Sequence, residues 1–418
     1  MNLHEEMMAM GDRAVAAARA LATLSSRRKH AILAAMAAEL DAQRAPLLQA
    51  NAADLDAARQ AGQSPALLDR LRLTDARVDA MIKGIHDVMA LKDPVGTRLS
   101  RWLRPNGLEI HKIRVPIGVI AIIYEARPNV TADAAVLCLK AANAVILRGG
   151  SEALRSNQAI AAALQAGGAK KGLPADAIQL VATTDRDAVR ELVQLEGRVD
   201  LAIPRGGEGL IRAVVAQARV PVIKHYKGVC HVYVDASADE RMALDVCENA
   251  KCQRPGVCNA IEKVLVHEKI AAAFVPQLVA RLGARGVAFR GDEAALRIVP
   301  AMPPATAADW SAEYLDLMLT VGVVPNVQAA VAHINHYGSH HSDAIIAADE
   351  AAQKAFTQGV DSAAVYVNAS TRFTDGGEFG MGAEIGISTA KLHARGPMAL
   401  EELTTYKYVI WGAGQVRK

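Results

Sequence analysis

Residues 115–150 read VPIGVIAIIYEARPNVTADAAVLCLKAANAVILRGG, and this stretch decides the fold class. GVIAIIYEA, starting at Gly118, is a short apolar run rich in β-branched residues, of strand length. Ala132–Ala142 is dominated by good helix formers. AVILRGG, ending at Gly150, is a second apolar run closed by two glycines. A strand, a helix and a strand at this spacing make a crossover unit, which forces the two strands to run parallel.

The pattern continues outward. A helix over 152–166, the strand IQLVAT, a polar helix over 185–195, the strand VDLAIPRGG, a helix over 208–218 and the strand VPVIKHY follow in turn. A second series opens near His231 with HVYVD, a helix over 238–252, AIEKVLVH and later AAVYVNAS, which predicts a second α/β domain over 229–395. Upstream, residues 1–90 read as helical, with Pro65 at a helix start. Between helices and first strand, Thr97–Pro116 carries Pro105-Asn106-Gly107, and Asn-Gly is the strongest short hairpin signal. The run LTTYKYVIWG near the end of the chain is β-rich and needs a partner strand. Parallel sheets bind ligands at the carboxyl ends of their strands, so Arg148-Gly149-Gly150 and Arg205-Gly206-Gly207 line a plausible nucleotide crevice.

Composition excludes several functions. The chain has 418 residues, 51% hydrophobic and 22% charged, a folded and not a disordered mix. Lysine plus arginine is 47 against 44 acidic residues, a net charge of +3, and aromatics are 4%. That balance argues against a dedicated nucleic-acid binder. No run approaches a membrane span, and MNLHEEMMAMGDRAVAAARA lacks the form of a signal peptide. Five cysteines, an odd number, predict free thiols in a reducing, cytoplasmic compartment.

Few motifs carry chemistry. The G-x-G-x-x-G fingerprint is missing after the first strand, and Gly167–Gly172 lacks the lysine of a P-loop. Gly380–Gly386 reads as a flexible loop or as one that closes over a substrate. Cys247, Cys252 and Cys258 do not have the paired spacing of a zinc site, and His336, His340 and His341 read as surface or structural; no metal is expected. Cys258 follows the helix-breaking Arg254-Pro255-Gly256-Val257. A thiol there, near Arg254, Lys251 and a helix N-terminus, is either a nucleophile with a lowered pKa or a buried inert cysteine. Inert packing is the reading for Cys138 and Cys247.

Taken together, RPGVCNA, KHYKGVCHVYVD, DLAIPRGGEGLIR, HYGSHHSDAI and FGMGAEIGISTAKLHARGPMALEELTTYKYVIWG resemble the aldehyde dehydrogenase superfamily, and within it the gamma-glutamyl phosphate reductase branch, over nearly the whole chain. The resemblance implies an α/β fold with a Rossmann-type NADP(H)-binding domain (1–100 and 117–228), an α/β catalytic domain (229–395) and a β oligomerisation element (101–116 and 396–418). It implies Cys258 as nucleophile and Asn129 as oxyanion ligand. It places Arg148 at the adenosine ribose with Gly149, Gly206 and Gly207 beside the pyrophosphate, and Glu313 at the nicotinamide ribose. Arg127, Lys224 and His225 would meet the substrate. The activity implied is NADPH-dependent reduction of L-glutamyl 5-phosphate to L-glutamate 5-semialdehyde and phosphate, the second step of proline biosynthesis from glutamate. A homo-oligomer is implied, with channelling of the acyl phosphate from glutamate 5-kinase. In one place the chain departs from the oxidising members of the superfamily. They carry a glutamate that activates water, where this chain has Lys224-His225-Tyr226-Lys227-Gly228. A thioester that must survive until reduction has no use for that base. A hydrolytic NAD(P)-dependent semialdehyde dehydrogenase is the alternative.

Overall fold

The computed structural model describes residues 2–417. The chain divides into two compact units. The first is 1–224 with 380–386 and 398–418; the second is 225–379 with 387–397.

The first unit begins with helices Leu3–Leu21, Ser26–Ala42, Arg44–Gln60, Pro65–Leu71 and Asp75–Ala90. Their starts are written in the sequence. Ser25, Ser64 and Thr74 each accept a backbone N–H from the first turn, and Pro65 sits where its missing N–H costs nothing. Gly167 and Gly168 lie inside the helix Leu154–Ala169. A Cβ on Gly167 would come within 2.5 Å of the Ala35 carbonyl, so this glycine run serves close helix–helix packing.

The parallel sheet of this unit has the order Ile178–Leu180, Ala144–Arg148, Val119–Tyr124, Leu201–Arg205. In chain order that is third, second, first, fourth. The connection reverses between Val119–Tyr124 and Leu201–Arg205, which makes the cleft at their carboxyl ends the switch point where such sheets hold nucleotides. Register brings Ile123 opposite Arg148 and Tyr124 opposite Arg205, so all three strands finish together there. VPVIKHY does not form the expected strand. Only Val222 bridges to Ala202, because neither Pro221 before the bridge nor Pro204 after it has an N–H to extend the ladder.

Arg98–Leu103 and Glu109–Pro116 form the expected hairpin, but Asn106-Gly107 is not a two-residue turn. Pro105 has no N–H to donate in the pair that would close a two-residue turn. The loop instead spans Pro105–Gly107, with Gly107 N–H on the Arg104 carbonyl and Gly107 at φ +83°. Thr404–Trp411 finds its partner strand in Glu109–Pro116, antiparallel over its full length.

The second unit holds a six-stranded parallel sheet ordered Ala364–Val367, Ser342–Ile346, Cys230–Val234, Ile261–His267, Met318–Val324, Ala288–Gly291. Its central strands are buried along their whole length, as a sheet covered on both faces requires. Lys251 and Glu262, both fully buried, pair at 2.9 Å beneath it.

One buried group makes this unit acid-sensitive. His333 packs against Trp310, Tyr337 and His231 with ring centroids 4.9, 4.7 and 5.7 Å away, and its Nε2 has no hydrogen bond. Burial, then the nearby His231, His336 and Lys263, push its pKa down from 6.5 to about 3. The unfolded chain takes up this proton below pH 6.5 and the folded chain does not. Stability from His333 is therefore complete above pH 6.5 and drains away as pH falls toward 3, by on the order of a few kcal/mol in total. Urea midpoints at pH 7.5 and 5.0 should differ more for the native chain than for His333→Phe. Equal differences would show that His333 protonates freely.

Candidate active site

Cys258 lies in the second unit on the turn between helix Glu240–Cys252 and strand Ile261–His267, at the amino end of the sheet. It is half-buried. No helix begins there, so the expected helix N-terminus is not part of its environment, and Lys251 is committed to Glu262. What holds the turn is backbone packing. A Cβ on Gly228 would fall 1.8 Å from the Cys258 carbonyl oxygen and 2.6 Å from its Cα. That carbonyl also accepts the Cys230 thiol at 3.2 Å. On the far side Asn259 donates to the Thr374 carbonyl at 2.9 Å, and Thr371 Oγ1 donates to the Asn259 carbonyl at 2.7 Å. Cys258 is thus clamped between 228–230 and 371–374 with its side chain uninvolved.

Glu313 reaches the same place. Its carboxylate accepts the Gly228 N–H at 2.7 Å, and Lys227 donates to the Ser311 carbonyl at 2.6 Å. The stretch 224–228 has no acidic residue, yet a carboxylate sits on its last N–H. A carboxylate bound in that way is placed to position groups. His225 stacks edge-on with the buried His341, rings 5.7 Å apart, and His341 Nδ1 meets Ser342 Oγ at 2.8 Å. His341 is therefore interior, not surface.

The remaining cysteines separate by burial. Cys138 and Cys247 are fully buried, which raises Cys138 far above the usual thiol range and Cys247 to about 12. Cys230 is raised by burial and then by Asp343 and Cys258. Cys252 is raised by burial and by Glu248. Among the described residues no cluster of three His, Cys, Asp or Glu side chains could hold a metal.

In the first unit, Arg148 ends its strand largely buried. Its guanidinium donates to the carbonyls of Gly149, Thr184 and Asp185, while its Nε is buried without a partner. Burial lowers its pKa, and so does the charge of Arg186. Across the switch point, Glu125 accepts the Gly207 N–H at 2.8 Å at the start of helix Glu208–Gln217. A Cβ on Gly206 would lie 2.3 Å from that carboxylate, so a side chain there would displace Glu125 from the Gly207 N–H. The helix N-terminus thus already draws an anion, as the partial positive charge there favours. Asn129 opens helix Asn129–Lys140, and its amide donates to Asp133 at 2.9 Å. Burial pushes Asp133 up to about 6, opposed by Asn129 and Arg205. Arg127 is exposed on the turn before that helix, and Lys224 is the last residue of this unit's main segment.

The aldehyde dehydrogenase family model matches residues 3–301. The chain is 54% identical to gamma-glutamyl phosphate reductase of Moorella thermoacetica over 418 residues, covering 100% of both, and 52% identical to that of Desulfatibacillum aliphaticivorans over 417 residues, again covering both completely. The crystal structure of gamma-glutamyl phosphate reductase from Thermotoga maritima superposes with a TM-score of 0.98 at 48% identity, covering 99% of this chain and 100% of that one.

The chain belongs to the gamma-glutamyl phosphate reductases of the aldehyde dehydrogenase family.

Aldehyde dehydrogenases are oxidoreductases that use a nicotinamide cofactor. The first unit suits such a group on three observations: the strand order, the orphaned Arg148 Nε, and the helix start at Gly207. Two aspects of the site escape a reading of the sequence. Arg372 bonds to Asn259, next to Cys258, although more than a hundred residues separate them. Glu125 caps Gly207 from 82 residues away. No local motif marks either one. Among the described residues, no helix is long and apolar enough to cross a membrane.

Proposed function

We propose that this chain reduces L-glutamyl 5-phosphate to L-glutamate 5-semialdehyde and phosphate with NADPH, through a thioester on Cys258, as the second step of proline biosynthesis. The full-length similarity to gamma-glutamyl phosphate reductases, joined to a half-buried cysteine held through its backbone, carries this reading. The Cys258 thiolate attacks the acyl carbon and phosphate departs. Asn129, oriented by Asp133, and backbone N–H groups hold the oxyanion. NADPH, when bound, supplies the hydride. The thiohemiacetal on Cys258 then expels the thiolate and frees the aldehyde.

Roles for the other residues follow. Arg148 and Gly149 at one strand end, with Gly206 and Gly207 at the other, would line the cofactor cleft, and Arg148 with Arg186 would favour the extra phosphate of NADPH. Glu313, fixed by Gly228, would bind the nicotinamide ribose. Arg127, Lys224 and His225 would meet the substrate's charges. Residues 1–100 and 117–228 would form the cofactor domain and 229–395 the catalytic one. The sheet made by Arg98–Leu103, Glu109–Pro116 and Thr404–Trp411 exposes Trp102, Tyr406, Tyr408 and Ile410 on one face, an apolar patch that association between copies would cover.

The deciding assay runs the reaction backward, with semialdehyde, NADP and varied phosphate. NADP reduction should depend on phosphate and saturate with it. Full turnover without phosphate would establish the hydrolytic dehydrogenase instead.

A further inference from the structure

Arg372 sits in the single helical turn Thr371–Phe373 of the second unit. Its Nε donates to Gln253 at 2.8 Å and its Nη1 donates to Asn259 Oδ1. Gln253 and Asn259 are the two ends of the turn that carries Arg254 and Cys258. The guanidinium is therefore laid along the nucleophile's own turn, half-buried, with Arg254 exposed at its side. Burial lowers the pKa of Arg372 and the like charge of Arg254 lowers it further, while Cys258 and Asp375 act in the opposite direction.

Among the described residues neither Arg254 nor Arg372 forms an ion pair with a carboxylate. Other arginines of this unit do: Arg281 holds Asp245 and Glu248, and Arg395 holds Asp361. Two neighbouring guanidiniums, one partly desolvated and neither held in an ion pair, favour an anion that would bridge them. Guanidinium forks suit phosphate oxygens in particular.

We propose that Arg254 and Arg372 form the phosphate subsite of the reaction. They bind the phosphoryl oxygens of the acyl phosphate and stabilise inorganic phosphate as it leaves. In that step the thiolate electron pair of Cys258 makes the C–S bond. The C–O bond to the bridging phosphate oxygen breaks, and its electron pair departs with phosphate. Nothing is oxidised or reduced until hydride transfer. The subsite rests on the function proposed above, and it places the leaving group on the side of the nucleophile that faces segment 371–374.

Arg254→Gln and Arg372→Gln test it in the reverse assay and in a binding assay without turnover. Each variant should raise the KM for phosphate roughly tenfold or more, with the KM for semialdehyde changed far less. Phosphate should also protect Cys258 from iodoacetamide in the native chain, and each variant should need roughly tenfold more phosphate for equal protection. Arg372→Lys should recover part of the loss. If Arg372→Gln disturbs the turn through Gln253 and Asn259, the exposed Arg254 decides alone. Unchanged phosphate KM and unchanged protection in Arg254→Gln overturn the subsite while the phosphate-dependent reaction stands. Phosphate-independent turnover by the native chain overturns both.

Discussion

Cys258→Ala will abolish reduction, lowering kcat by on the order of a thousandfold or more, and leave the fold intact. The loss is large because no other thiol can replace it. Cys138, Cys230 and Cys247 are fully buried and their thiols are held protonated, and Cys252 is also raised. The fold survives because the structural contacts of residue 258 are made by its backbone. Its carbonyl takes the Cys230 thiol and its Cα faces Gly228, and both remain in alanine. Steady-state rates with acyl phosphate and a thermal melt check the two halves together. A melting temperature within about 2 °C of native, with no detectable turnover, is the expected pair of results. Substantial residual turnover would remove Cys258 from the chemistry.

Gly228→Ala will act on the same residue from behind. Its new methyl would stand 1.8 Å from the Cys258 carbonyl oxygen, 2.5 Å from the carbonyl carbon and 2.6 Å from Cα. These are backbone atoms, so no rotamer change relieves the overlap. Either the turn 254–259 or the segment 227–230 must move. The movement costs about 1–3 kcal/mol or more and displaces the thiol by enough to cost roughly a hundredfold in kcat. It also disturbs the N–H that holds Glu313. A melt, the rate of Cys258 alkylation and kcat measure the three consequences. A variant with native stability and native alkylation rate would mean that the two segments are not packed as described.

Much of the fold was legible because its signals are local. GVIAIIYEA and AVILRGG are strand-length apolar runs, and the observed strands Val119–Tyr124 and Ala144–Arg148 fall inside them. Serine and threonine N-caps and Pro65 mark helix starts within three residues of themselves. The reading failed at VPVIKHY, where Pro221 and Pro204 stop a strand-like run from pairing.

The site divides along the same line. The family, the crossover architecture of both units and Cys258 as the one thiol on a helix-breaking turn are all legible along the chain. Those are properties of residue type, spacing and periodicity along the chain. What surrounds the thiol is set by folding. Gly228 against its backbone, Glu313 on the Gly228 N–H and Arg372 along its turn come from segments 30 to 114 residues away. Their meeting is set by the order of strands in the sheet and by close packing, neither of which leaves a period in the sequence.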